Sequence, residues 1–582
     1  MRSRSVPVVT ALVASAFLSA SLRSQVDADT LAKIRHEGLE NSRAMDILDR
    51  LTHEIGHRLT GSDNFTRACE FARAEFASFG MTEVRLEPWD TWPITWNREQ
   101  WMGRITAPEA FDLQVATPAW TNGTKGQVRG ALIAMPESTA AIEETPDAYR
   151  GKFVFGRMPS DRSPQYRTLM AAGHAAGVLA FLESSAGDAA NPNRIRVFGS
   201  RPFSPEIPNT PPHIVIRRDQ AQKIREMMDA GQELLGEFEI RNRWRREPIE
   251  LNNVIAEIVG TEKPDECVIV SAHLDSWHQA TGTTDNGTGA TSTLEAARIL
   301  MAIGARPKRT IRFCLWGGEE QGLLGSLAYT TKHRAEMGKV SAVFNHDTGT
   351  NWAHGLTVTQ AIEPLITPIL APVMALPSPD DPQSDEPSFV LRSAASIGGR
   401  GGSDDASFLR AGVPAFNWQL AGRSDYFSHT WHSQWDTYDE AIPEYMRHTS
   451  TVIAMTVLGV ANLPDLLPRD GIGSGGGNQP QRPRGNMLGS ALGMEMDADN
   501  PLLVKAITDG GAGKQAGFQA GDVVAKVGET AVGDARELSQ AVRGALRAEG
   551  ATKVVFVVKR GAGEAASSVA IEVPVAAFSR RE

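Results

Sequence analysis

Residues 268–286 read VIVSAHLDSWHQATGTTDN, an apolar run that ends in His273 and Asp275 and continues through a glycine-containing loop to Asp285. An uninterrupted apolar run of this length, bounded by turn residues, is typical of a strand that is buried on both faces. Open α/β sheets place their functional groups where such strands end. The stretch therefore predicts an α/β fold with a site beyond the end of this strand.

Two further strands of the same kind also end in polar residues. Residues 310–316, TIRFCLW, lead through two glycines to Glu319 and Glu320, and the run 342–345 is followed by Asp347. Helical patterns such as residues 291–303 alternate with these strands, which predicts a sheet covered by helices. Three consecutive strand ends therefore present carboxylate or imidazole groups.

A fourth functional stretch is residues 426–437, YFSHTWHSQWDT, which offers His429 and His432 beside Asp436. Imidazole nitrogens and carboxylate oxygens together suit zinc. Two adjacent glutamates at one strand end point in different directions, so one can bind metal while its neighbour acts as general base towards a water. These residues predict metal-assisted hydrolysis.

The motifs HLDS, DNGTG, EEQGLLGS, HDTG and HSQWDT occur in an order that resembles a family of zinc-dependent exopeptidases. That family includes the bacterial leucyl aminopeptidases and plasma glutamate carboxypeptidase, also called carboxypeptidase Q. The resemblance covers residues 27–466. It implies an α/β catalytic domain with a mixed sheet, of the phosphorylase/hydrolase-like type.

The resemblance also implies a site with two zinc ions per chain. The implied ligands are one bridging residue and two pairs, namely Asp285 as the bridge, Glu320 with His432, and His273 with Asp347. Glu319 would be the general base. Asp275 would accept a hydrogen bond from the imidazole of His273 and fix its tautomer.

One departure from the family pattern lies in residues 402–408, GSDDASF, where many relatives carry Ser-Asp-His. Asp404 keeps its supporting position, whereas Asp405 stands in place of the histidine and receives no role from the resemblance. Of the two histidines in the fourth stretch, His432 is favoured over His429. The reason is that its four-residue spacing to Asp436 matches the family.

Residues 53–57, HEIGH, match the H-E-x-x-H pattern of helical zinc proteases and offer a rival metal site. Gly56 weakens a helix there, and no third ligand follows at short spacing. The continuation RLTGS resembles the turn that precedes the catalytic sheet in the exopeptidases. We therefore expect a surface turn, and we expect hydrogen-bonded or solvent-facing roles for the remaining nearby histidines, which are His278, His346 and His354.

Length and composition exclude several classes of protein. A chain of 582 residues predicts about four domains. The net charge is -10, and 59 Lys and Arg are interspersed with 69 Asp and Glu, so no basic face is available to bind nucleic acid. The three cysteines, Cys69, Cys267 and Cys314, cannot form a disulfide framework, although the sequence leaves a Cys267–Cys314 pair open.

Residues 1–24 have the composition of a secretory signal, with Arg2 and Arg4 before an apolar stretch at 6–18 and small residues after it. The stretch is shorter than the roughly 20 residues that span a bilayer. We expect cleavage and export to the periplasm or the medium, with no stable membrane span. The oligomeric state is not readable from the sequence.

The expected domain order is a catalytic domain interrupted by an insert and followed by a tethered domain. The expected ranges are 27–118 and 246–466 for the catalytic domain, 119–245 for the insert, 467–485 for a Gly- and Pro-rich linker and 486–578 for the last domain. The stretches YRGKFVF and HAAGVLAF of the insert resemble the protease-associated domain, which would cover the cleft without catalytic groups of its own. LGSALGMEM and AGFQAGDVVAKVGE resemble a PDZ domain, which would bind a peptide through its terminal carboxylate.

Together these features predict an exported di-zinc exopeptidase that cleaves peptide bonds at the ends of peptides or in dipeptides. An aminopeptidase, a carboxypeptidase or a dipeptidase fits the same ligands, because the group that recognises a free amine or carboxylate lies outside the motifs. Two alternatives stay open. One is a catalytically inactive receptor or scaffold on this fold, against which the intact ligands and Glu319 argue, and the other is a one-zinc glutaminyl cyclase.

Overall fold

The computed structural model describes residues 26–473 and 492–575, apart from short gaps. The gaps are 162, 187–190, 192, 201–205, 385–386, 400–401, 493, 498–499, 501, 508–511, 534–536, 539–540, 543–544, 547–551 and 562–566. The chain divides into two compact units after Gly475. The expected leader and most of the expected linker lie outside the described residues. No helix within the described ranges is long and apolar enough to cross a membrane.

The first unit combines strands and helices throughout its length. Its strands are β1 (Thr82–Trp92), β2 (Thr95–Ala107), β3 (Phe111–Leu113), β4 (Val115–Ala116), β5 (Val128–Ala134), β6 (Phe153–Phe155), β7 (Ala180–Ser184), β8 (His213–Ile216), β9 (Leu235–Arg245), β10 (Ile249–Ile258), β11 (Lys263–His273), β12 (Arg309–Trp316), β13 (Val340–His346), β14 (Trp352–Thr359), β15 (Val390–Ala394), β16 (Ala415–Asn417) and β17 (Gln419–Ala421). Its α-helices are α1 (Ala28–Leu39), α2 (Ala44–Asp49), α3 (Asp63–Ser78), α4 (Thr139–Glu144), α5 (Pro146–Tyr149), α6 (Pro164–Ala176), α7 (Arg218–Asp229), α8 (Thr288–Ala302), α9 (Leu324–Lys332), α10 (Glu363–Met374), α11 (Asp405–Arg410) and α12 (Pro443–Ala461). Short π-helical turns occupy Arg50–Ile55, Thr283–Gly287 and Tyr426–Thr430, and 3-10 turns occupy Met337–Lys339 and Tyr438–Glu440.

A mixed six-stranded sheet lies at the centre of this unit, in the order β1-β10-β12-β11-β13-β16. Strands β12, β11, β13 and β16 are parallel, β10 is antiparallel to β12, and β1 pairs antiparallel with β10. His273 pairs with Trp316, and Ala272 pairs with His346, so three strands end level with one another. The mixed α/β class expected from the sequence is confirmed, and its three polar strand ends meet at one edge.

Burial explains why these strands lack polar alternation. All seven residues of β13 are buried, as are residues 267–273 of β11. Helices α8 and α12 pack against each other and against β11, and both are buried around most of their circumference. Helices that are buried on most sides belong to the core, and here buried threonines and serines accompany the apolar residues.

Helix α8 starts three residues before the pattern 291–303 that predicted it. The side chain of Asn286 accepts a hydrogen bond from the N–H of Gly289 at 3.0 Å, which satisfies a donor at the start of the helix. Buried threonine and glycine occupy this first turn, so the apolar periodicity does not reveal it.

Residues 27–80 form the three α-helices α1, α2 and α3. Asp27 caps α1 by accepting from the N–H of Thr30 at 2.9 Å, and Ser62 caps α3 by accepting from the N–H of Phe65 at 3.2 Å. Between α1 and α2, the N–H of Arg43 donates to Glu295 of α8. A tertiary hydrogen bond thus ties the start of α2 to the core helix.

An eight-stranded second sheet has the order β3-β2-β9-β5-β6-β7-β8-β4, with β5 to β8 parallel. The chain leaves the central sheet after β1 and returns to it through β10. This sheet begins at Thr95, so it extends beyond the expected insert 119–245 into the range expected for the catalytic domain. A small third sheet has the order β15-β14-β17.

The second unit has its own apolar core, to which Val504, Val524 and Phe556 contribute. Its described elements are β18 (Met494–Met496), β19 (Val504–Ile507), α13 (Ala512–Ala516), β20 (Val523–Val527), β21 (Thr530–Ala531), β22 (Lys553–Arg560) and β23 (Ser567–Pro574). They form a four-stranded sheet, β21-β20-β22-β23, and a β18-β19 pair.

The cysteines contribute to packing and not to cross-linking. Cys69, Cys267 and Cys314 are all free and buried. The pair that the sequence left open between Cys267 and Cys314 is therefore absent, and burial raises the pKa of the Cys267 thiol to about 11. Such thiols behave as small apolar side chains.

A leucine pair tests the role of α8 in the core. Leu294 of α8 is fully buried, whereas Leu327 of α9 is 46% exposed. We expect Leu294→Ala to lower the free energy of unfolding by about 2 to 5 kcal/mol, because it leaves a cavity under the sheet. Leu327→Ala, measured in the same urea titration, should change it by less than about 1 kcal/mol. Equal losses would contradict this packing.

Candidate metal centre

Five side chains from four segments converge at the ends of the central strands. Two groups of potential metal ligands occur among the described residues, with ligand atoms that all lie within 4.8 Å of one another. The first group is His273, Asp285 and Asp347, and the second is Asp285, Glu320 and His432. These are the two sets that the family resemblance implied.

Asp285 belongs to both groups and offers a different oxygen to each. His273 Nε2 lies 3.3 Å from Asp285 Oδ1 and 3.4 Å from Asp347 Oδ1. His432 Nε2 lies 3.0 Å from Asp285 Oδ2 and 3.1 Å from Glu320 Oε2. One carboxylate is therefore shared between two imidazoles, which is the geometry of a bridging ligand.

The chemistry of these donors fits metal ions. His273 Nε2, Asp285 Oδ2 and Glu320 Oε1 are buried, and in the described part of the chain none of their close contacts has hydrogen-bond geometry. Buried polar atoms are almost always satisfied, so such a group of unsatisfied nitrogen and oxygen atoms calls for a cation. Nitrogen and carboxylate ligands at three positions per ion, with an open position left over, suit catalytic zinc.

The electrostatics of the cluster are those of closely packed carboxylates. Burial, together with the charge of Asp285, raises the pKa of Glu320 to about 7. Burial also raises the pKa of Glu319 well above its usual range, although the charge of His273 opposes this. Burial would lower the pKa of His432, but the charges of Glu320 and Asp285 raise it to about 10. Protons and metal ions compete for these same atoms.

The carboxylate of Asp275 is not the hydrogen-bond acceptor of the His273 imidazole that we expected. The Nδ1 atom of His273 lies 3.0 Å from the main-chain carbonyl oxygen of Asp275, whereas the Asp275 carboxylate is 3.6 Å away. That carboxylate instead accepts from the N–H groups of Glu319 at 3.2 Å and Glu320 at 3.3 Å, and from the hydroxyl of Thr60 at 2.9 Å. Asp275 is therefore a positioning residue for the paired glutamates.

Arg58, which the sequence did not single out, holds the loop between His273 and Asp285. Its fully buried guanidinium donates to the carbonyl oxygens of Leu274 at 2.7 Å, Thr281 at 2.8 Å and Gly282 at 2.7 Å. Burial lowers its pKa to about 10, while nearby carboxylates oppose that shift. The only sequence signal was an arginine inside the RLTGS turn.

Asp436 fixes the main chain of the shared aspartate. Its carboxylate accepts from the N–H of Thr284 at 2.5 Å and from the N–H of Asp285 at 3.2 Å. Burial and the charge of Asp285 raise the pKa of Asp436 to about 7. Asp436, whose spacing from His432 favoured His432 over His429, thus orients the main chain of Asp285.

Comparison with known proteins identifies the segment that carries this cluster. Residues 253–457 match peptidase family M28, and this range contains all five ligand candidates and Glu319. This segment is therefore similar to the M28 peptidases. Human carboxypeptidase Q is 28% identical over 438 residues, which cover 74% of this chain and 88% of that protein.

Solved structures share the same fold. A peptidase M28 precursor from Shewanella amazonensis is 24% identical, with a TM-score of 0.54, over 76% of this chain and 98% of that chain. A zinc aminopeptidase from Bacillus subtilis is 18% identical, with a TM-score of 0.46, over 74% of this chain and 97% of that chain. The family M28 match over residues 253–457 and the similarity to carboxypeptidase Q identify the protein as a zinc metallopeptidase.

The other histidines that the sequence offered as candidates lie outside the two ligand groups. His53 of the HEIGH stretch is exposed and contacts Asp49 at 2.6 Å, and His57 belongs to neither ligand group. His429 stacks on Trp435 and approaches Glu440 at 3.2 Å.

Three further histidines are engaged in other contacts or buried apart from the ligand groups. His278 contacts the carbonyl oxygen of Thr117, and His354 contacts that of Ser388. His346 is buried and belongs to neither ligand group among the described residues. HEIGH is nevertheless not a simple surface turn, because its last residue is half-buried.

A segment of the insert, residues 193–198, contacts the loop that carries His432; we call it the arm. Arg194 is 3% exposed and donates to the carbonyl oxygens of Phe427, at 2.9 Å, and of Trp431. Ile195 N–H donates to Gln434 at 2.8 Å, and Arg196 forms an isolated antiparallel bridge with Ser433. The insert thus supports a ligand loop of the peptidase site.

Two aspartates after residue 402 differ sharply in their surroundings. Asp404 is fully buried, neither of its carboxylate oxygens has a hydrogen-bond partner in the described chain, and burial raises its pKa to about 8. Asp405 lines a cavity of about 730 Å³ together with Glu319 and Asp347. Burial, and then the charge of Asp347, raise the pKa of Asp405 to about 7.

The arm should affect zinc affinity through His432. We expect Arg194→Ala to weaken zinc binding by about 10- to 100-fold, because the turn before His432 loses two donors that hold it. Competition with a chromophoric chelator measures this affinity. Arg241→Ala removes an exposed arginine from the same insert and serves as the control. Unchanged zinc affinity in Arg194→Ala would contradict a positioning role for the arm.

Proposed function

We propose that the chain is an exopeptidase that uses two zinc ions and the general base Glu319 to hydrolyse peptide bonds at the ends of short peptides or in dipeptides. The observation that carries this proposal is the sharing of Asp285 between two ligand groups. Each group contains one histidine and one further carboxylate, and Glu319 lies beside Glu320 in the same cavity.

The residues divide the work between holding metal and moving a proton. His273, Asp347, Glu320, His432 and the bridging Asp285 would hold the zinc ions. When bound, such a pair supplies Lewis acidity to the scissile carbonyl and lowers the pKa of the attacking water. The Glu319 carboxylate accepts a proton from that water and passes it to the nitrogen of the leaving amine. Asp275 fixes the main chain of Glu319 for this transfer.

The insert supports a preference for small substrates. We infer that it is a protease-associated domain that covers the cleft, since its arm contacts the loop 427–434 on the cavity wall. A cavity of about 730 Å³ accommodates a few residues of a peptide. A folded protein could present only a flexible end to it.

Two variants separate the base from the ligands. We expect Glu319→Gln to retain zinc but to lose about 10²- to 10⁴-fold in kcat, because general base catalysis typically contributes that much. Asp285→Asn should lose zinc as well as activity, because both ligand groups depend on this carboxylate. Zinc content by elemental analysis and turnover of a dipeptide panel measure the two effects.

The outcomes of that experiment also decide between the alternatives. Equal turnover by wild type and Glu319→Gln would overturn the assignment of the base. One zinc per chain with cyclisation of amino-terminal glutamine would favour a glutaminyl cyclase. Full zinc content without turnover of any peptide would favour an inactive receptor.

We further propose that the protein is exported and that its second unit is a PDZ domain. The two-stranded β18-β19 pair and the separate four-stranded sheet with its own core support an independent peptide-binding domain. The main chain near Leu492 would receive a terminal carboxylate while β18 pairs with the peptide.

A peptide library tests the second unit on the full chain. We expect the Glu319→Gln protein to bind some peptides with a free carboxyl terminus, and to bind their carboxy-amidated forms at least about 10-fold more weakly, because the amide removes the charge that main-chain N–H groups recognise. Calorimetry measures the difference. Equal affinity for free and amidated forms would contradict a PDZ-type carboxylate site.

A further inference from the structure

The cavity beside the metal centre carries an acidic side chain that the proposed mechanism does not use. Asp405 lines this cavity with Glu319 and Asp347, and polar groups of Thr348 and Asn417 also contribute to the wall. It comes from the start of α11, a segment that supplies no proposed zinc ligand. Its position makes it a candidate for contact with substrate.

The carboxylate of Asp405 is buried without a cationic partner. Its residue is 9% exposed, and the groups that favour its charge most are main-chain N–H groups at the start of α11. The charge of Arg410, on the same helix, also lowers the pKa of Asp405, although its guanidinium donates to the hydroxyl of Ser407 and forms no ion pair with Asp405. No ion pair to Asp405 occurs among the described residues. A buried carboxylate that lacks an ion-pair partner is stabilised when a cation binds it.

The charges that line the cavity favour a positive ligand. Its acidic side chains are Asp285, Glu319, Glu320, Asp347 and Asp405, and none of its lining residues in the described chain is lysine or arginine. Two divalent ions would balance four of these carboxylates, which leaves one negative charge. Arg196 stacks on Trp431 of the cavity wall but itself lines a separate cavity in the insert.

We propose that Asp405 binds an alkylammonium group of the substrate, that of a free amino terminus, and thereby directs the peptidase to the amino end of its substrates. The inference rests on the proposed exopeptidase function and names the substrate feature that the zinc ligands leave undefined. A substrate carboxylate at this place would face Asp405, and no lysine or arginine of the described cavity lining would offset the repulsion. Asp405 would therefore determine specificity without taking part in the proton transfers.

Binding measurements test the proposal independently of catalysis. Zinc-loaded Glu319→Gln protein is titrated with leucinamide, with its N-acetyl form, and with 4-methylpentanamide, which lacks the amine. We expect leucinamide to bind about 10- to 100-fold more tightly than both, because a charge-assisted hydrogen bond contributes that factor. Adding Asp405→Asn should reduce the ratio to within about threefold. Asp229→Asn, an exposed aspartate of α7, is the control.

A second set of ligands distinguishes an amino-terminal ammonium group from one on a side chain. Nα-acetyl-lysinamide carries its charge only on the side chain, so tighter binding of this ligand than of leucinamide, lost in Asp405→Asn, would assign the site to a basic side chain and overturn the amino-terminal assignment. Asp405→Ser serves if the asparagine variant does not fold. Circular dichroism and zinc content establish folding.

Kinetics on the protein with intact Glu319 distinguish a failure of the proposed exopeptidase function from a failure of the proposed role of Asp405. We expect Asp405→Asn to raise KM for a leucyl dipeptide about 10-fold or more, with a smaller change in kcat. Absence of turnover by wild type on every peptide would overturn the proposed function. Turnover with equal preference for free and blocked amino ends, unchanged in Asp405→Asn, would overturn only the role of Asp405.

Discussion

The site depends on one buried carboxylate that serves two imidazoles. Asp285 directs Oδ1 towards His273 and Oδ2 towards His432, so a small rotation of this side chain would disturb both halves. Taking several carboxylates out of water costs several kcal/mol for each ion unless cations and hydrogen bonds offset it. Much of the surrounding chain therefore serves to hold Asp285 in place, with Asp436 on its main chain and Arg58 on the loop before it.

That support comes from segments that are far apart in sequence. Arg58 lies in the amino-terminal part, Asp436 follows the last ligand, and Arg194 belongs to the insert. The insert is consequently part of the active-site architecture, since its arm holds the turn before His432. The contacts of the arm therefore tie the position of one ligand candidate to the insert.

The buried strands and the polar residues at their ends could be predicted from the sequence, because local patterns encode them. Buried strands are readable from continuous apolar runs, and the polar residues at their ends indicated where the site lies. Arg58 and Arg194 escaped notice because their partners are main-chain carbonyls more than two hundred residues away. The role of Asp275 was anticipated only in part, since the choice between its carbonyl and its carboxylate depends on where β12 ends beside β11.

Charge balance links the metal centre to substrate choice. Five acidic side chains line the cavity. The two zinc ions that we propose would match four of these negative charges and leave one carboxylate without compensation. The proposed zinc ligands do not themselves define a preference for either end of a peptide, because the same set fits an aminopeptidase, a carboxypeptidase or a dipeptidase. A residue outside the ligand set, placed on α11 where the wall of the cavity begins, can supply that preference without disturbing the metal ions.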